Sequence, residues 1–214
     1  MIYRIRRGIP DHHRAAAAKL YWQAFGSKLG RVLGPDPRAL AFVERVMDGT
    51  HGFCAINEET QELLGIVGFR TAHGAFVGGD NADLREIYGL FGAAWRLTCL
   101  WVLARDQEHK AMVVDGLSVR ADQRSGGIGT ALLEAVCTEA RRRGYVQLRL
   151  DVIKENMRAR ALYERLGFHV VRVRESRLTE MLFLYRTVFM MVRPLKPWDN
   201  GRNAPDPGPS RSSG

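Results

Sequence analysis

Three glycines set between a strand and a helix constrain this chain more than any other stretch. Met112 to Val119 reads as a strand and Gly127 to Arg143 as a helix closed by Gly144, with Arg124-Ser125-Gly126-Gly127-Ile128-Gly129-Thr130 at their junction. Tyr145 to Val152 is strand-like again. The segment is therefore a strand, helix, strand crossover, which makes the two strands parallel and the connection right-handed. Glycines at the joint let the backbone turn with no side chain in the way, so amide N–H groups and the positive end of the helix can converge on an anion. The same glycines also suit a tight turn with close helix packing, and the residues alone leave both uses open. A P-loop requires Lys and then Ser or Thr after its last glycine, and a dinucleotide fingerprint requires GxGxxG; the stretch fits neither.

Upstream, Ile2 to Arg7 alternates apolar and basic residues as an edge strand does. Asp11 is placed to cap a helix whose Ala17, Leu20, Tyr21, Ala24 and Phe25 recur at spacings of three and four until Gly26. Ser27 to Gly34 reads as a loop, and Asp36 as cap with Pro37 in the first helical position starts a second helix to about Met47. Gly52 to Ile56 and Leu64 to Thr71 flank the polar turn Asn57 to Gln61 and form an antiparallel hairpin. Asp83 to about Arg105 is helical by the spacing of Leu84, Ile87, Tyr88, Phe91, Trp95 and Leu103, with Asp83 and Glu86 resembling a capping box. Its charges argue against a membrane span. Such a helix packs into a core or mates with a second copy, so a homodimer stays open.

Downstream, Asn156 caps a helix from Met157 to Leu166, Gly167 stops it, and Phe168 to Arg174 and Val188 to Arg193 are the last strands. Residues 1–195 thus form the folded domain. Residues 196–214 are rich in Pro, Gly and Ser and are expected to be disordered.

Composition narrows the chemistry. With 214 residues, 46% of them apolar, the chain buries a core without disulfide or metal. Cys54, Cys99 and Cys137 are odd in number, far apart and set in apolar runs, which fits reduced core thiols and not a zinc site, so no metal is expected. The formal charge of +9 is concentrated between Ala111 and Arg193, where 15 Lys and Arg face 9 Asp and Glu. Scattered Arg without interleaved aromatics gives no nucleic-acid signature, whereas a polyphosphorylated small molecule suits such a surface. No signal-peptide pattern opens the chain and no window of eighteen residues is free of charge, so a cytoplasmic protein that does not enter a membrane is expected.

Two stretches together carry a resemblance. Arg124, Gly127 and Gly129 match a pattern of Arg or Gln, two residues, Gly, one residue, then Gly or Ala; about thirty residues on, Asn156, Ala159, Leu162, Tyr163, Gly167 and Phe168 match a second. In that order and separation they resemble the GNAT superfamily of N-acetyltransferases. The resemblance implies an α/β (α+β) fold: a mixed, mostly antiparallel sheet of about seven strands with one splayed parallel pair, flanked by helices. The helix at 83–105 is extra to that plan.

The resemblance also implies a reaction. Acetyl-CoA would enter the splay as co-substrate, its pantetheine arm on the backbone of Leu117, Ser118 and Val119, and its pyrophosphate on the amides of Arg124, Ser125, Gly126, Gly127, Ile128, Gly129 and Thr130. Asn156 would bond the same molecule. A primary amine of a small molecule or peptide would attack the thioester directly in a ternary complex. An aliphatic amine is mostly protonated at neutral pH, so a base is needed. Asp115 is the candidate, on the strand face of Val113, Leu117 and Val119. Tyr163 holds the place of the acid that protonates the leaving thiolate, and a backbone N–H near Leu117 would stabilise the oxyanion. The acceptor would meet Ser27 to Asp36 and Glu175 to Thr187. The rival readings are a CoA-binding or regulatory module of this fold without turnover, and a tRNA-modifying acetyltransferase of the toxin type.

Overall fold

The structure is a computed structural model that describes residues 2–78, 81–104 and 111–195; the expected disordered tail at 196–214 lies outside the described residues. Among these residues eight strands form one sheet: β1 (Tyr3–Arg7), β2 (Gly52–Asn57), β3 (Leu63–Thr71), β4 (Gly74–Ala75), β5 (Met112–Val119), β6 (Gln147–Ile153), β7 (His169–Glu175) and β8 (Thr187–Pro194). Their order is β1-β2-β3-β5-β6-β8-β7, with the two-residue β4 paired to β3. Among the described residues only β5 and β6 run parallel. The crossover between them is α4 (Ile128–Arg142), and α5 (Met157–Arg165) follows β6. Central strands β2 and β3 are apolar on both sides because both of their faces are covered.

On one face lie α4 and α5. Ile128, Leu132, Leu133, Val136, Cys137 and Ala140 make a single buried stripe on α4, each large side chain contributing roughly 1.5–3 kcal/mol on burial. The other face carries α1 (Arg14–Leu33), α2 (Asp36–Val46), α3 (Asn81–Ala104) and α6 (Arg177–Phe183), packed around Ile66, Phe76 and Phe183.

Several sequence expectations are corrected. Helix α1 does not stop at Gly26 but continues to Leu33, so Ser27 to Gly34 is not a loop. Val32 and Leu33 are buried and prolong the apolar spacing. A Cβ on Gly26 would stand 2.8 Å from a Trp22 ring carbon, so the glycine serves packing and not termination. The cap of α2 is Pro35, one residue earlier than expected, with Pro37 inside the first turn. Arg14 closes the other end of α2 by donating to the carbonyls of Glu44, Arg45 and Met47. Asp83 and Glu86 form no capping box: both carboxylates take Arg45, at 2.9 and 2.6 Å. Helix α3 is two runs broken at Gly89, whose φ of 72° is left-handed. Within the expected last connection, Ser176 caps the short α6 by accepting from the Thr179 amide, and Phe183 anchors it in the core.

Two irregularities open the sheet where the site forms. Parallel pairing of β5 with β6 covers only Met112–Val114 against Leu148–Leu150. Beyond it β5 follows β3 while β6 follows β8, so the edge of β5 toward β6 carries no strand from Asp115 onward. The β3–β5 ladder also steps from Gly68 opposite Gly116 to Phe69 opposite Val114, which leaves Asp115 as the extra residue of a bulge.

Candidate active site

A groove of about 460 Å³ occupies the splay. Leu117, Ser118 and Val119 of β5 form one wall, the first turn of α4 and the start of α5 the other, and Gln23 and Ala24 of α1 line it from the opposite face of the sheet. It therefore passes through the sheet.

Each wall follows from local sequence. Gly127 caps α4 with φ of 81°, and no side chain caps that end. The amides of Ile128, Gly129 and Thr130 thus have no partner within the helix and carry its positive dipole end, an arrangement that fits a phosphate. A Cβ on Gly129 would meet Leu162, Leu117 and Val119 at 3.4–3.9 Å, so the glycine leaves free a space between groove-lining side chains that a methyl group would take up. Ser118 Oγ donates to the Leu20 carbonyl at 2.9 Å, which ties β5 to α1 beside the groove. Asn156 caps α5 by accepting from the Ala159 amide at 3.2 Å and also lines the groove.

Charge agrees with this geometry. Arg124, Arg158 and Arg165 line the groove and no carboxylate does. Arg124 Nε donates to the Val119 carbonyl at 3.3 Å, and Arg158 Nη2 to Ser125 Oγ at 3.1 Å. Ser125 holds φ of 71°, left-handed for a residue with a Cβ. Among the described residues no group of three or more His, Cys, Asp or Glu is placed to hold a metal, and no helix is long and apolar enough to cross a membrane.

The expected binding residues gather here, with two exceptions. Gly126 does not line the groove, and Ile128 turns its side chain into the core, 3% exposed. Residues that sequence reasoning passed over also line it: Gln23 and Ala24, which only the fold brings across, and Arg158 and Arg165, two turns apart on α5.

The expected catalytic pair lies outside the lining. Tyr163 is buried beside Phe168, ring centroids 6.0 Å apart, and burial pushes its phenol up to about 12. It stands next to Leu162 and one turn from Ala159, which do line the groove. Asp115 does not share a face with Leu117 and Val119. The bulge breaks the alternation, so Val114 and Leu117 pack on the α4 side while Asp115 bonds Arg70 and acts electrostatically on Tyr21, which belongs to the α1 side.

Fold and groove together define a class. A mixed sheet opened at its one parallel pair, with an uncapped helix N-terminus at the mouth, is the architecture of the acetyltransferases that the two signature stretches resemble. The chain belongs to the acetyltransferase (GNAT) family, whose pattern it matches over residues 15–168. It is similar to the ribosomal protein bS18-alanine N-acetyltransferase of Escherichia coli K12, 40% identical over 60 residues, which are 28% of this chain and 40% of that protein. The match thus spans less than half the length of that relative. Among solved structures, an N-acetyltransferase from Staphylococcus aureus Mu50 aligns at a TM-score of 0.60 with 16% identity, over 88% of this chain and 99% of that one. The E. coli ribosomal-protein-S18-alanine N-acetyltransferase aligns at 0.52 with 16% identity, over 94% and 98%. At such identities the likeness is one of fold.

Proposed function

We propose that the protein is an acetyl-CoA-dependent N-acetyltransferase that moves the acetyl group to a primary amine of a small molecule or peptide by direct attack in a ternary complex. One observation carries the reading: an unpaired stretch of β5 edge, the uncapped amides of α4 and three guanidinium groups converge on one groove that passes through the sheet. An extended arm pairs with such an edge as an added strand would, and a pyrophosphate sits on such amides. Gln23 and Ala24 line the groove on the α1 side, the side from which an amine would approach.

In this reading the backbone of Leu117 to Val119 holds the pantetheine arm, and the amides from Arg124 to Thr130 hold the pyrophosphate, with Asn156 beside them. Asp115 takes a proton from the amine. Tyr163 protonates the departing thiolate: its phenol carries its proton at neutral pH, and that proton moves as charge builds on the sulfur. The name of the bS18-alanine relative makes the α-amine of a polypeptide the first acceptor to try. The buried free thiols of Cys54 and Cys137 fit the reducing cytoplasm as the place of action. A thiol-release assay with acetyl-CoA and an alanine-led hexapeptide, spermidine and phenethylamine tests the reading. Release that depends on the amine supports it, and tight CoA binding with no release from any of them overturns it.

A further inference from the structure

Asp115 is held from one side only. Its Oδ1 accepts from Arg70 Nη2 at 2.5 Å, while Oδ2 is buried and accepts from no group among the described residues. A buried carboxylate oxygen without a donor is costly, so it calls for a reason. The sheet supplies none, because a bulge residue has no ladder partner. The neighbouring side chains are largely aromatic. The rings of Tyr21 and Phe25, centroids 4.6 Å apart, lie over Gly116, where a Cβ would come within 2.9 Å of Phe25. Arg70 stands opposite Val113 toward the start of β5, whereas the groove begins at Leu117 toward its end. The guanidinium therefore grips the carboxylate from behind.

We infer that Arg70 is a positioning residue for acetyl transfer: it fixes Oδ1 of Asp115, so that Oδ2 is the oxygen that takes the proton of the incoming ammonium. The inference rests on the proposed function with Asp115 as its base. The protons balance. The ammonium gives one proton to Oδ2, and the freed lone pair forms the C–N bond as the C–S bond breaks. The thiolate takes a proton from Tyr163, which regains one from the new amide nitrogen, and Asp115 releases its own to solvent. One amide, one free thiol and one proton result.

The test measures Arg70→Met, Arg70→Lys, Asp115→Asn and the double variant R70M/D115N, with the hexapeptide, spermidine and phenethylamine as acceptors. For Arg70→Met the expected result is a kcat lower by about 10²-fold with the KM for acetyl-CoA within about twofold, and for Arg70→Lys a recovery to within about tenfold of the parent. The double variant should be no slower than Asp115→Asn by more than about twofold, because the two residues act as a unit. Calorimetry with CoA shows that each variant is folded. An Arg70→Met enzyme at the parent rate, no recovery in Arg70→Lys, or losses that multiply in the double variant would overturn the role of Arg70. A parent that turns over while Asp115→Asn keeps its full rate rejects the Asp115 and Arg70 pair alone. A parent that releases no thiol rejects the proposed function and the pair with it.

Discussion

Arg158 on α5 donates from Nη2 to Ser125 Oγ at 3.1 Å, and so joins the second of the two signature stretches to the first. Sequence separates the pair by the whole of α4 and β6; in space they share one wall of the groove. Ser125 keeps its left-handed backbone in the same loop that presents the α4 amides.

If that wall holds phosphate, Arg158→Ala should weaken CoA binding by about tenfold, the loss of one charge-assisted contact. Arg160→Ala is the control, since Arg160 pairs with Glu164 and lies over Phe189 instead of lining the groove. Its CoA affinity should stay within about twofold of the parent. Titration calorimetry reads both, and equal effects would contradict the assignment.

The two glycines at the start of α4 should separate fold from function. Gly129 has room for a methyl group and an ordinary helical backbone, so Gly129→Ala should keep or raise stability by up to about 1 kcal/mol while CoA affinity falls by about tenfold or more. Gly127 is left-handed, so Gly127→Ala should lose about 1 kcal/mol of stability. Thermal melts with and without CoA distinguish them. A Gly129→Ala protein that binds CoA like the parent would show that this turn is not the cradle.

Tyr163→Phe removes one oxygen from a buried ring and leaves its packing on Phe168 intact. The expected outcome is a fall in kcat of roughly 10²-fold with CoA affinity unchanged. An unchanged kcat would remove Tyr163 as the acid.

Acid should destabilise the protein partly through Glu139. Burial alone would raise its carboxyl, but bonds from Arg142 and Arg143 and the charge of Arg7 bring it from the usual 4.5 down to about 2. A lowered folded-state value means stability that is present above about 4.5 and lost as pH falls toward about 2. Glu139→Gln should cost about 2 kcal/mol at neutral pH, lowering Tm by roughly 4–8 °C, and the gap from the parent should narrow from about pH 5 downward and close near about pH 2. A gap independent of pH would show that the ion cluster contributes nothing through charge.

The crossover from β5 to β6 was legible because its signals are local: apolar strands, glycine punctuation and a clean helical stripe on α4. So was most of the groove's lining, since Leu117 to Val119, Gly127, Gly129 and Asn156 sit where a strand end and two helix starts face each other. What sequence hid depends on contacts across the fold. Gly26 resembled a stop because Trp22, which requires a residue without a Cβ there, is recognised only in space. The break at Gly89 was invisible because Leu90 and Phe91 continue an apolar run. Arg45 claims the would-be capping box from a different helix. Asp115 was put on the wrong face because alternation presumes an unbroken ladder, and nothing local announces a bulge between Gly116 and Val114.

The central claim is that this groove delivers an acetyl group to an amine nitrogen. Mass spectrometry of the alanine-led hexapeptide, spermidine and phenethylamine after incubation with acetyl-CoA and the protein tests it most directly. The account predicts an amine heavier by one acetyl group, formed in step with free CoA and much reduced with Gly129→Ala. Free CoA accumulating while every amine keeps its original mass would mean that the groove only hydrolyses the thioester, and would contradict the account.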